Sequence, residues 1–122
     1  KGADVYGVVN VVGSTIARQC GKGVYIHSGP EQSVASTKAF TNMVGALALF
    51  SLQLGRSRHL SKTKGKLIAK EMRKLPEKIR TYLSNPGPIQ DAVNLVTQAK
   101  SVLFLGRGIS SPVASEGALK LM

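Results

Sequence analysis

Apolar positions along this chain fall into two kinds of run. The first is short and β-branched: Val5-Tyr6-Gly7-Val8-Val9-Asn10-Val11-Val12, bounded by Gly and Ser, has the pattern of a buried, parallel strand. Ser14 then caps a short helix over 15–19, Gly21-Lys22-Gly23 breaks it, and Val24-Tyr25-Ile26-His27 forms a second short strand. Ser28-Gly29-Pro30-Glu31-Gln32 is rich in turn formers. The period then changes. Over residues 34–54, Ala39, Phe40, Met43, Val44, Leu47, Phe50, Leu52 and Leu54 leave little polar surface. That predicts a helix stopped by Gly55 and buried on more than one side.

Beyond Gly55 the apolar stripes are narrower. Residues 62–75 carry Leu67, Ile68, Met72 and Leu75 on one helical face. Pro76 opens a helix over 76–83 with Ile79, Tyr82 and Leu83 inward. Asn85-Pro86-Gly87-Pro88 is the strongest break in the chain, and 89–99 is again amphipathic. Ser101-Val102-Leu103-Phe104-Leu105 predicts a further buried strand, which Gly106-Arg107-Gly108 turns into a helix beginning near Pro112. Strands alternating with helices argue an α/β fold with parallel strands. There are too few strands for one complete doubly wound sheet. The simplest account is the end of one α/β domain (1–55), a basic helical linker (56–88) and the start of a second domain (89–122).

Composition narrows this picture. With 43% hydrophobic residues, 5% aromatic and no Trp, the core must be aliphatic. The longest apolar run, 43–54, is too short to cross a bilayer. The start, Lys1-Gly2-Ala3-Asp4, is polar, has no hydrophobic leader and lacks an initiator Met, so the chain is expected to begin inside a larger protein. A single cysteine, Cys20, allows no internal disulfide and fits a reducing cytoplasm. The net charge of +11 is concentrated in Arg56, Arg58, Lys62, Lys64, Lys66, Lys70, Arg73, Lys74, Lys78 and Arg80. Such a cluster suits nucleic acid, an anionic membrane surface or an acidic protein surface, or else is a solvated helix face. Only Tyr82 is interleaved with it, so base stacking is not provided for and nucleic acid ranks last.

Chemistry in open α/β sheets gathers at the carboxyl ends of strands. Three loops qualify: 12–15, 28–36 and 106–111. The third holds a Gly-x-Gly without the third glycine of a dinucleotide fingerprint. In the second, small hydroxyl residues precede the long apolar helix. Either Ser33 or Ser36 caps that helix, or its free N–H groups and positive dipole end face an oxygen-rich ligand. Glu116 and Lys120 stand four apart on one helix. They are either an ordinary ion pair of about 0.3–0.5 kcal/mol or an acid/base pair over a substrate. His27 and His59 read as loop and surface histidines. No Ser/His/Asp set, zinc spacing or Walker loop is present, so neither a metal site nor a cofactor is expected.

Taken in order, Asn10-Val11-Val12-Gly13-Ser14 with Arg18, Val34-Ala35-Ser36-Thr37-Lys38-Ala39-Phe40-Thr41, Leu103-Phe104-Leu105-Gly106-Arg107-Gly108 and Glu116-Gly117-Ala118-Leu119-Lys120-Leu121 resemble the glucosamine-6-phosphate synthase family. The resemblance runs along essentially all 122 residues. In that family a glutaminase domain releases ammonia, and two sugar-isomerase (SIS) domains pass it to fructose 6-phosphate and form glucosamine 6-phosphate. The resemblance implies a three-layer αβα SIS fold, present here as the end of one SIS domain, linker helices and the start of another. It implies that Val34, Ala35, Ser36 and Thr37 border the sugar phosphate, and that Glu116 and Lys120 are catalytic. It implies a cytoplasmic homodimer. Ser115 departs from the larger apolar residue usual there. The family's phosphate-cradling Ser/Thr loops would precede Lys1, and further catalytic groups would follow Met122, so these residues alone are expected to be inactive. A non-catalytic SIS module that senses a sugar phosphate, and a basic nucleic-acid binder, are the competing readings.

Overall fold

A computed structural model describes residues 2–122. It is an α/β arrangement with one small parallel sheet and a majority of helix. The chain divides into two units at residues 68 and 69, and each is taken by itself.

In the first unit β1 (Gly7–Val9) and β2 (Gly23–Tyr25) pair in parallel, with Val8 opposite Val24. Parallel strands need a crossover, and α1 (Thr15–Cys20) supplies it. Its boundaries follow from side-chain chemistry. The Ser14 hydroxyl accepts from Ala17 N–H at 3.3 Å, and Gly21 closes the helix in a left-handed conformation at φ 60. The Gly7 and Ile26 amides extend the ladder onto the carbonyls of Lys22 and Val9. Gly23 is required where it stands: its φ is +145, and a Cβ there would lie 1.9 Å from the Gly7 carbonyl oxygen. Val9 on β1 and Ala39 on α2 (Lys38–Arg58) are the buried apolar residues of the described chain, and α2 packs on β1. Tyr6 and Phe50 bring their rings to 6.3 Å.

The long helix differs from its expected limits at both ends. It begins at Lys38 rather than Val34, and it runs through Gly55 to Arg58. Glycine in αR costs a helix about 1 kcal/mol but does not end it. The reversal comes later, where His59 N–H and Leu60 N–H both bond the Gly55 carbonyl and the Arg56 guanidinium bonds the Leu60 carbonyl. Of the helix's residues only Ala39 is buried; Val44, Leu47, Leu49 and Phe50 are about half exposed. The expected burial on several faces is therefore not seen within the described chain. α3 (Lys62–Arg73) follows and crosses the division between the units.

The second unit holds α4 (Leu75–Leu83), α5 (Gly87–Thr97) and α6 (Ser110–Leu121). Pro76 and Pro88 sit in the first turns of α4 and α5, where a missing N–H costs nothing. The expected strand at 101–105 is not formed. Leu103 and Leu105 are 85% and 88% exposed. A strand needs a ladder partner, and the described residues of this unit contain none. Val102 is half-buried, and the Phe104 ring lies 2.9 Å from where a Cβ on Gly117 of α6 would be. No helix of the described residues is long and apolar enough to cross a membrane.

Candidate functional site

The loop between β2 and α2 is built from its backbone outward. His27 leaves β2 in the left-handed region at φ 48, its ring 6.0 Å from that of Tyr25, and turns the chain toward Ser28 and Gly29. Asn10, just past the end of β1, holds that turn from both sides. Its Nδ2 donates to the Gly29 carbonyl at 2.7 Å, and its Oδ1 accepts from the Ser28 amide at 2.8 Å. From α2, Asn42 Nδ2 donates to the Ser28 hydroxyl at 2.7 Å. The neighbouring loop is tied by Arg18, whose guanidinium bonds the Gly13 carbonyl and, at 3.4 Å, Thr15 Oγ1. Two loops at the carboxyl end of the parallel strands are thus fixed by side-chain amides and a guanidinium.

The start of α2 is capped by neither Ser33 nor Ser36. Thr37 is the N-cap residue and its own side chain makes no capping bond. The Glu31 carboxylate does that work from across the loop. Oε2 accepts from Thr37 N–H at 3.2 Å and Ala39 N–H at 3.1 Å, with the Ser36 hydroxyl at 3.5 Å. Oε1 accepts from the Thr37 hydroxyl at 2.9 Å. The Ala39 N–H, opposed by partial desolvation and aided by Thr37, holds the Glu31 carboxyl below its ordinary pKa; Lys38 contributes a smaller attraction. The fold therefore places Ser36 and Thr37 on one carboxylate, half-buries Ala35 and leaves Val34 fully exposed.

Glu116 and Lys120 lie on α6 in the second unit and form an ion pair across one helical turn. Their side chains are only 24% and 29% exposed. The pair thus sits in a half-buried setting, where an ammonium and a carboxylate polarise each other more than in open water. The turn before α6 is close: Ser110 and Ser111 amides bond the Arg107 and Gly108 carbonyls, and a Cβ on Gly106 would lie 2.2 Å from the Ser110 carbonyl oxygen. Residues 33–37 and the Glu116–Lys120 pair belong to different units. A cleft of about 130 Å³ lies among Gly7, Ala17, Gly23 and Val24. It is smaller than ligand pockets usually are and includes none of the candidate residues. Among the described residues no cluster of His, Cys, Asp and Glu has the geometry of a metal site.

Two residues that matter here have roles the motifs do not give. Asn10 stands in a quoted motif, but its bonds to the 28–29 turn are seen only in the structure; a polar residue at the end of a β-branched run is the available signal. Glu31 lies six residues before the cap, outside the capping-box spacing. Its signal is compositional: the first turn of α2 holds no acid, and Glu31 is the one acid in the preceding loop.

An α/β unit with a parallel pair of strands, a braced loop at their carboxyl ends and a half-buried acid–amine pair on a later helix is the class of molecule these observations define. Comparison with known proteins narrows the class. The chain is 45% identical over 121 residues to the glutamine–fructose-6-phosphate aminotransferase (isomerizing) of Chlorobaculum tepidum, covering 99% of this chain and 20% of that protein. It is 43% identical over 122 residues to the enzyme of the same name from Thermus thermophilus, again covering 20% of it. To glutamine–fructose-6-phosphate aminotransferase (isomerizing) 2 of Homo sapiens it is 42% identical over 122 residues, 18% of that protein. The chain thus spans about a fifth of the length of the curated relatives it matches, and is homologous to that stretch along nearly its whole length. No family model matches it.

Proposed function

We propose that this chain is part of the isomerase half of a glutamine–fructose-6-phosphate aminotransferase, the enzyme that makes glucosamine 6-phosphate for amino-sugar synthesis. The observation that carries this reading is identity of 40–45% along 99% of the chain to proteins of that name. In this reading 1–55 closes a first SIS domain of the three-layer αβα type, 56–88 is linker, and 89–122 opens a second. Residues 34–37 border a sugar phosphate, fructose 6-phosphate or glucosamine 6-phosphate. Glu116 and Lys120 serve the proton transfer between adjacent sugar carbons, which needs a positioned base and a cation for the developing enediolate. The half-buried ion pair on α6 supports that role. The parent enzyme is a cytoplasmic homodimer. The 122 residues alone form no product.

A chimera tests the proposal. Residues 1–122 replace the matching stretch of the Thermus thermophilus relative, and glucosamine 6-phosphate is measured. The chimera is expected to be active, with Glu116→Gln and Lys120→Gln each lowering kcat by about 10²–10⁴. A folded chimera that still releases ammonia from glutamine yet forms no amino sugar refutes the reading.

A further inference from the structure

We propose that the cationic face of α3 is a docking surface for an acidic protein segment, one whose carboxylates repeat at helical spacing beside an apolar side chain. This goes beyond the isomerase reading and does not depend on it. Lys62, Lys66, Lys70 and Arg73 stand at i, i+4, i+8 and i+11 of one helix. At 3.6 residues per turn and 1.5 Å per residue they fall within about 80° of arc and run about 16 Å along the axis. All four are exposed, and none has an ion-pair partner among the described residues. Glu71 is the one acid of α3; it lies off this arc and is already shared by Lys74 at 2.6 Å and Lys78 at 3.5 Å.

Helix stability does not explain this row. Cations four residues apart repel one another. The first turn of α3 holds lysines and no acid, where the positive end of the dipole favours the reverse. Carboxylates brought in at the same spacing relieve both. The side chains beside the row decide what carries them. Leu67, three residues before Lys70, is 59% exposed. A protein segment can cover it with an apolar side chain, whereas a phosphate backbone cannot. No aromatic side chain occurs in α3 for a base to stack on. A membrane surface would take up the apolar face of the helix, but Ile68 and Met72 on that face are half-buried in the protein.

The probe is a fluorescein-labelled helical peptide with glutamates at i, i+4, i+8 and i+11 and one leucine beside them. Its binding to the 122-residue chain is read by fluorescence anisotropy at low and at physiological ionic strength. Saturable binding that weakens as salt rises is expected, at least about tenfold tighter than for a scrambled peptide of the same composition. Lys66→Glu with Lys70→Glu reverses the centre of the row and places acids four residues from Lys62 and Lys74, which favours the helix. It should weaken the peptide at least about tenfold while circular dichroism is unchanged. Lys64→Glu with Lys100→Glu alters net charge equally but off the row, and should leave affinity within about threefold. No saturable binding overturns the inference. So does a scrambled peptide that binds as tightly, or equal losses in the two double variants, since either shows attraction by net charge alone. Duplex DNA or phosphatidylserine vesicles that bind more tightly than the peptide at physiological ionic strength, and lose as much to the row reversal, assign the row to phosphate and overturn it too. If the reversed chain loses helix, the scrambled peptide against the unaltered chain decides by itself.

Discussion

Replacing Gly23 with alanine tests the closest backbone approach in the strand pair. Two costs act together. The residue holds φ at +145, a region that L side chains rarely adopt, and its added Cβ would meet the Gly7 carbonyl oxygen at 1.9 Å and the Gly7 nitrogen at 2.7 Å. The backbone cost is about 1–3 kcal/mol. The clash is with main chain, which cannot swing aside as a side-chain tip can, and costs about 1–3 kcal/mol more. Gly21→Ala is the matched control, because Gly21 is also left-handed at φ +60 but a Cβ there meets nothing within 4 Å. It should pay the backbone cost alone. The two variants should therefore differ by about 1–3 kcal/mol, roughly a 5- to 150-fold difference in opening of the ladder. Hydrogen exchange at the Gly7 amide, bonded to the Lys22 carbonyl at 2.9 Å, and the Ile26 amide, bonded to the Val9 carbonyl at 3.0 Å, reads that opening directly. If Gly23→Ala exchanges there no faster than Gly21→Ala, the close approach is not what makes glycine necessary.

Asn10→Ala removes both bonds to the 28–29 turn and should cost about 1–3 kcal/mol, read as faster exchange of the Ser28 amide with the strand amides little changed. Glu31 sets an acid limit on the start of α2. Its carboxyl titrates lower folded than unfolded, so its support is complete above the unfolded value and is lost as pH falls through the folded one. The carboxyl carbon shift of Glu31 should therefore titrate below the usual carboxylate range, and exchange at the Ala39 amide should rise along the same curve. A titration at or above the ordinary value would show that the cap does not form.

Much of the fold is legible in the chain because it depends on neighbours in sequence. Ser14 and Gly21 bracket α1, and Pro76 and Pro88 mark helix starts, since each acts within one turn of its own position. The β-branched runs around Val8 and Val24 pair in parallel because a helix separates them. Residues 101–105 show where such reasoning stops. Their apolar pattern is that of a strand, but a strand is defined by its partner, and none lies within the described residues of that unit. The all-apolar face of α2 is the same case: periodicity announces a need for burial without naming what meets it.

The candidate site divides along the same line. Glu116 and Lys120 are legible because an i,i+4 spacing on a helix brings them together whatever surrounds them. Loop 33–37 is legible only by its small hydroxyl residues, which leave open whether a serine caps the helix or its amides face a ligand; Glu31 takes those amides instead. Serine side chains reach the nearest amides of their own turn, which is why Ser33 and Ser36 are candidate caps. Glu31 prevails because one carboxylate accepts from two backbone amides and a hydroxyl at 2.9–3.2 Å, and a charged acceptor makes the stronger bond. It reaches them because Asn10 and Asn42 fold the 28–29 turn back toward the helix. The charge at the mouth of this loop is thus set by residues on β1's end, the turn and α2 together.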